Sequence, residues 1–147
     1  MALHEIVDHI KEAQRLGREL GVKNILQPGI VKEMILADRL GHEVIPDKDK
    51  ADARDSAGNL YEYLCSLTTS NNFQIDRVTE DNLHRITRNK AFYFAFFSDP
   101  VTIQIIYEVS TSTVLEEAER QLAKSKNSIS HMNLPGAWVK RNGRVIG

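Results

Sequence analysis

Residues 52–66 read DARDSAGNLYEYLCS, and the folding of this stretch decides how the rest of the chain is read. The cluster Asp55-Ser56-Ala57-Gly58-Asn59 has hairpin-turn chemistry, so residues 51 to 67 form two extended arms around it. Asp52 on one arm and Glu62 on the other then approach as cross-strand neighbours, about 4.5–5.5 Å apart at Cβ. Such a pair suits Mg²⁺, a hard ion that takes one or two carboxylates and keeps positions for water and a substrate phosphate. Acidic residues flanking a hairpin are also commonly just solvated. Alternation places Tyr61, Tyr63 and Cys65 on one face of the second arm and Glu62 with Leu64 on the other. A glutamate that shares an interior strand face with a leucine needs a reason.

Upstream, Ile6, Ile10, Ala13, Leu16 and Leu20 recur at helical spacing and Gly21 follows as a stop. A second helix begins after Pro28-Gly29 and runs from Ile30 to Leu40, ending at Gly41. HEVIP then reads as a strand and DKDK as a charged loop. Downstream, Thr68 to Asn72 is polar and reads as loop. Thr79 is a good N-cap for a third helix continuing to Lys90. AFYFAFF and VTIQIIYEV are strands joined across Ser98-Asp99-Pro100. Thr113 with Glu116 resembles a capping box for a helix through Lys124. The tail from Asn127 reads as loop, short strand and a turn at Asn142-Gly143. The sum is an α+β fold with a largely antiparallel central sheet flanked by helices.

The 147 residues fit one domain, and 41% hydrophobic with 27% charged residues is ordinary globular composition. No apolar run approaches the roughly 20 residues needed to span a bilayer, and the amino terminus lacks a signal peptide's apolar core, so the expected setting is cytoplasmic. The single cysteine, Cys65, has no internal disulfide partner and no cysteine neighbours for a zinc site, and reads as a small buried hydrophobe. A net charge of −1 argues against a nonspecific nucleic-acid coat. It leaves room for a specific cleft in which carboxylates for metal and arginines for phosphate cancel.

Pro46, Ala51-Asp52-Ala53, Asp55, Ala57-Gly58 and Tyr61-Glu62 together resemble the catalytic hairpin of the PD-(D/E)xK nucleases, most closely the PvuII-type restriction endonucleases. The order of helix 30–40, strands 92–97 and 102–109, the following helix and the Asn133-x-Pro135 tail extends the likeness over nearly the whole chain. The resemblance implies a restriction-endonuclease-like fold with a mixed central sheet. It also implies a homodimeric type II enzyme that cuts double-stranded DNA with Mg²⁺, leaving 5′-phosphate and 3′-hydroxyl ends. Asp52 and Glu62 take the metal-ligand roles, with Asp49 as a supporting ligand. Leu64 departs from the pattern, because the family places a lysine there. Either the cation has moved to another element or the fold binds DNA without cutting it. Arg88, which falls where the family has an active-site tyrosine, is the first candidate for the moved charge, with Lys90 and Arg85 behind it. An arginine stays protonated, so it can stabilise a transition state but is a poor general base.

On the same resemblance, base readout belongs to the segment after Leu67, where Asn71, Asn72, Gln74 and Arg77 offer major-groove chemistry. Asn133 adds to readout from the tail, while Lys140, Arg141 and Arg144 suit phosphates, as Arg85 does from its helix. His131 is read as a DNA contact or a surface residue. The first helix, within residues 1–21, is a dimerisation element or simply packs on its own sheet. The leading function is a sequence-specific DNA endonuclease. The main rival is a catalytically inactive DNA-binding protein on the same fold. A structure-specific repair nuclease is a third reading, disfavoured by the Asn- and Gln-rich segment.

Overall fold

The computed structural model describes residues 2–47, 49–126 and 128–147. Met1 of the predicted dimerisation segment, Lys48 of the DKDK loop and Asn127 at the head of the tail lie outside the described residues.

The hairpin forms as expected. Strand β2 (Ala53–Arg54), preceded by β1 (Glu43–Val44), pairs antiparallel with β3 (Leu60–Leu67), with Ala53 opposite Tyr61. Asp55 organises the turn: its carboxylate accepts from the amides of Ala57 and Asn59, the Asn59 side chain and, at 2.7 Å, the Tyr61 hydroxyl. The Asn59 and Tyr61 bonds hold the Asp55 carboxyl well below the usual range. Gly58 closes the turn with φ of 86°, a conformation that costs other residues steric strain.

The main sheet adds β5 (Ala91–Asp99), β6 (Thr102–Ser110) and β8 (Arg144–Val145) in the order β1-β2-β3-β5-β6-β8. Only the β3–β5 pairing is parallel, so the sheet is mixed and largely antiparallel as expected. Ala91 to Phe97 are all buried, because β5 is covered on both faces. Phe92, Phe94 and Phe96 join Leu64 and Val109 in one core, capped by Val114, Ala118 and Leu122 of α4 (Thr111–Lys124). Tyr93, Ala95 and Phe97 join Tyr61 and Tyr63 in the other, against Leu36 and Ala37 of α2 (Ile30–Leu40). Glu62 therefore stands on the phenylalanine face of the sheet. Helix α1 (Ala2–Glu19) buries only Gly17. No helix among the described residues is long and apolar enough to cross a membrane.

Several local expectations are corrected. Thr68 to Asn71 forms the expected loop, but the rest of the segment assigned to base readout is strand β4 (Asn72–Thr79), which pairs antiparallel with β7 (Ser128–Pro135) in a separate two-stranded sheet. Phe73 and Ile75 face inward there, a short alternation masked by the polar residues between them. The helix expected over 79–90 reduces to a 3₁₀ turn (Glu80–Asn82) and the single turn α3 (His84–Thr87). Thr79 does cap, in reciprocal bonds with Asn82, but the Lys90 amide already donates to Leu60 of β3 at 2.8 Å. The cap of α4 is Ser110, whose hydroxyl accepts from the Thr113 amide, and not Thr113 itself. The tail carries the long β7 and an unforeseen helix α5 (Gly136–Asn142) that has no side-chain cap to announce it. HEVIP yields only the two residues of β1.

Candidate active site

Asp52 precedes β2 and is fixed by its backbone: its amide donates to the Tyr61 carbonyl and its carbonyl accepts from Ile45. Its Oδ2 accepts from the Tyr63 amide at 2.8 Å. Glu62 lies beside Phe92 across the parallel β3–β5 ladder. The two carboxylates line one cavity of about 210 Å³ together with Glu33, Asp76 and Arg85. Glu33, from the first turn of α2, was not foreseen.

Burial dominates the chemistry of this cluster. It pushes the Glu62 carboxyl up to about 10, helped by a hydrogen bond and repulsion from Asp52 and opposed by the charge of Arg88. Glu33 rises to about 8, first through burial and then through Asp52. The charge of Arg88 does not offset burial and mutual repulsion at Glu62, so protons or a bound cation would stabilise the carboxylates of the cluster. Their hard oxygen donors fit Mg²⁺. Among the described residues, no group of three or more His, Cys, Asp and Glu side chains is arranged to hold a metal ion. Asp52 and Glu62 bring two oxygen-donor side chains to the cavity, and Glu33 adds a third carboxyl group.

Leu64 occupies the position two residues beyond Glu62 as a core residue, buried and paired with Phe94. Positive charge comes instead from α3 and its end. Arg85 lines the cavity and donates through Nη1 to the Arg77 carbonyl at 3.2 Å. Arg88 is half-buried, donates through Nη1 to the Asp49 carbonyl at 3.1 Å, and has a buried Nε with no acceptor. Lys90 is exposed and is not among the residues that line the cavity. Asp49 meets this arrangement through its backbone, and its exposed side chain does not line the cavity. Burial also pushes the Cys65 thiol up, so Cys65 stays protonated and unreactive.

The cavity shares Glu33, Leu64 and Gln74 with a groove of about 800 Å³ whose walls include Lys32 and Asn72. Above it, Gln74 donates to Asn133 across β4–β7 at 3.0 Å, and two rungs on Asp76 pairs with His131 at 2.8 Å. Other expected readers are used structurally. Asn71 has φ of 49°, accepts the Gly136 amide on its carbonyl, and packs its side chain into the space left by Gly136. Arg77 has φ of 51° and supplies its carbonyl to Asn82 and Arg85. Lys140 lies over the Phe96 ring at 5.6 Å, and Arg144 pairs with Glu108 at 2.7 Å. Glu33, Lys32 and Asp76 gave no distinguishing signal, since charges on an amphipathic helix or a strand usually mark a solvated face.

A family model, described as restriction endonuclease PvuII, matches residues 1–146. No curated protein matches the chain.

Proposed function

Because the chain belongs to the family of restriction endonuclease PvuII, we propose that it is a type II site-specific deoxyribonuclease of the cytoplasm, a homodimer of one nuclease-like domain over residues 1–147. Its substrate is double-stranded DNA and its cofactor Mg²⁺. The observation that carries this reading is the cavity where Asp52, Glu62 and Glu33 converge beside Arg85, next to a groove of about 800 Å³ with which it shares lining residues.

Asp52 and Glu62 hold the metal. Bound there, Mg²⁺ supplies Lewis-acid stabilisation of phosphoryl charge and lowers the pKa of water. Arg85 faces the same cavity and neutralises charge that develops on the scissile phosphate, a role open to a permanently protonated guanidinium. Arg88 is a positioning residue: its charge favours the ionised form of Glu62, and its bond to the Asp49 carbonyl ties the loop ahead of Asp52 to α3. Leu64 lends the cavity an apolar wall, which strengthens the electrostatic interactions inside it. Ile6, Ile10 and Leu16 of α1 and Leu20 just after it are exposed, which supports a self-complementary contact between two copies.

The test is digestion of varied duplex DNA, with Mg²⁺ and then Mn²⁺, by the wild type beside Glu62→Ala, Arg85→Ala and Arg88→Ala. Discrete fragments that vanish with Glu62→Ala are expected. Leu64 favours a second reading, a protein that holds DNA without breaking it. Retained gel-shift binding with no cutting under either metal is the outcome that replaces the first reading with the second.

A further inference from the structure

Glu33 has no hydrogen-bond partner in the carboxylate cavity. It sits in the first turn of α2, where its amide donates to the Gly29 carbonyl at 3.1 Å, and buried Leu36 and Ala37 seat the helix on the sheet. Its side chain lines both the cavity and the neighbouring groove. Among the described residues nothing donates to its carboxyl group; burial and the charge of Asp52 are what act on it. An unpaired carboxyl group in such a place costs stability, and sites of that kind mark function.

Hydrolysis of a phosphodiester needs a water aimed at phosphorus. The water oxygen bonds to phosphorus as the P–O3′ bond breaks; the water gives up one proton and the departing oxygen gains one. Leu64 has no polar side-chain atom with which to hold that water. The other polar groups around the cavity are engaged. Asp52 and Glu62 are assigned to the metal, and Asp52 also accepts from the Tyr63 amide. Gln74 is bonded to Asn133 and Asp76 to His131, while the Arg85 guanidinium can only donate. Glu33 and Leu64 border cavity and groove alike, whereas Arg85 borders the cavity without the groove. A cation from α3 and an acceptor from α2 thus reach one cavity, with the acceptor on the side shared with the groove. Ionised or neutral, the carboxyl group keeps an oxygen that can accept a hydrogen bond from water.

We propose that Glu33 accepts a hydrogen bond from the attacking water and aims it at the scissile phosphorus, a task that Leu64 cannot perform. This rests on the nuclease reading above and deepens it. Losing the acceptor frees the reacting oxygen from its line of attack, which costs about 10²-fold in rate and leaves DNA affinity in place.

The test is single-turnover cleavage, with Mg²⁺, of a duplex carrying a mapped cleavage site by wild type, Glu33→Ala and Glu33→Gln. DNA affinity is measured alongside with Ca²⁺ in place of Mg²⁺, and melting temperature without metal. Glu33→Ala is expected to cut about 10²-fold more slowly at unchanged Ca²⁺-supported affinity. Sodium formate, which fits the space of the missing carboxyl group, restores cutting by Glu33→Ala and leaves wild type as it was. Glu33→Gln keeps an acceptor oxygen and recovers part of the rate. Neither variant is expected to melt below wild type, since each removes a carboxyl group that burial disfavours. Wild-type rates in Glu33→Ala overturn this proposal alone. So does a loss that neither formate nor glutamine relieves, which marks a structural prop, or one matched by an equal loss of Ca²⁺-supported affinity, which marks a cation ligand. No cleavage of varied duplexes by wild type overturns the nuclease reading as well.

Discussion

At neutral pH Glu62 keeps its proton in the folded protein, while the unfolded chain releases it near the ordinary value of 4.5. Folded molecules therefore bind more protons between about 4.5 and about 10, so this group's contribution to stability falls as pH rises through that window. A cation held by Asp52 and Glu62 takes the proton's place. The melting-temperature gain on adding Mg²⁺ is accordingly expected to grow from pH 6 to pH 9, as calorimetry with and without the metal will show; an equal gain at all pH values speaks against the site. Glu62→Gln should melt higher than wild type at pH 9 without metal, at roughly 2–4 °C per kcal/mol relieved, and lose the Mg²⁺ response. Arg85→Ala is expected to lower kcat by about 10²-fold while leaving this pH dependence in place. Leu64→Ala should cost about 2–5 kcal/mol in urea unfolding, since it removes a packed core side chain. The Asp52–Glu62 pair was legible because turn chemistry fixes the register of the two arms. Glu33 was not, because a glutamate within IVKEMIL looks the same whether the helix turns it to solvent or to a cavity.

Among the elements, β5 and β6 were legible because continuous apolar or β-branched runs leave few alternatives, and α1, α2 and α4 because their stripes are long. The β4–β7 ribbon was not. Asn72, Gln74 and Asp76 hide the inward Phe73 and Ile75, and the left-handed backbone at Arg77 moves the inward positions on to Val78. Such a conformation is strained for a side chain with a Cβ. Since the hydrogen bonds of Arg77 on this ribbon run through its carbonyl, Arg77→Gly is expected to raise stability by about 0.5–1 kcal/mol and leave DNA affinity near wild type. A large affinity loss, measured by gel shift across several salt concentrations, would instead return Arg77 to the DNA contacts. The mixed sheet was anticipated through resemblance. Its local detail depended on single residues: Ser110 caps α4 in place of Thr113, and Asn82 stops the 3₁₀ turn by bonding back to Arg77.

For the molecule as a whole, α1 contributes little to its own core, so its apolar side chains are free for a second copy. The double variant Ile6→Glu, Ile10→Glu is expected to halve the solution mass in sedimentation equilibrium and to suppress paired cutting of both strands, with the monomer still folded. An unchanged mass would place the contact elsewhere. Beyond assembly, β5 shapes what happens when folding fails. AFYFAFF carries no charge and no proline, and its shelter depends on both layers of the fold being intact. Once heat strips those layers away, the segment has the signature of a cross-β former, with Arg88 and Lys90 before it and Asp99-Pro100 after it as flanking gatekeepers. Thermal denaturation should therefore be irreversible and scan-rate dependent, with the working lifetime of the protein set by how fast it opens.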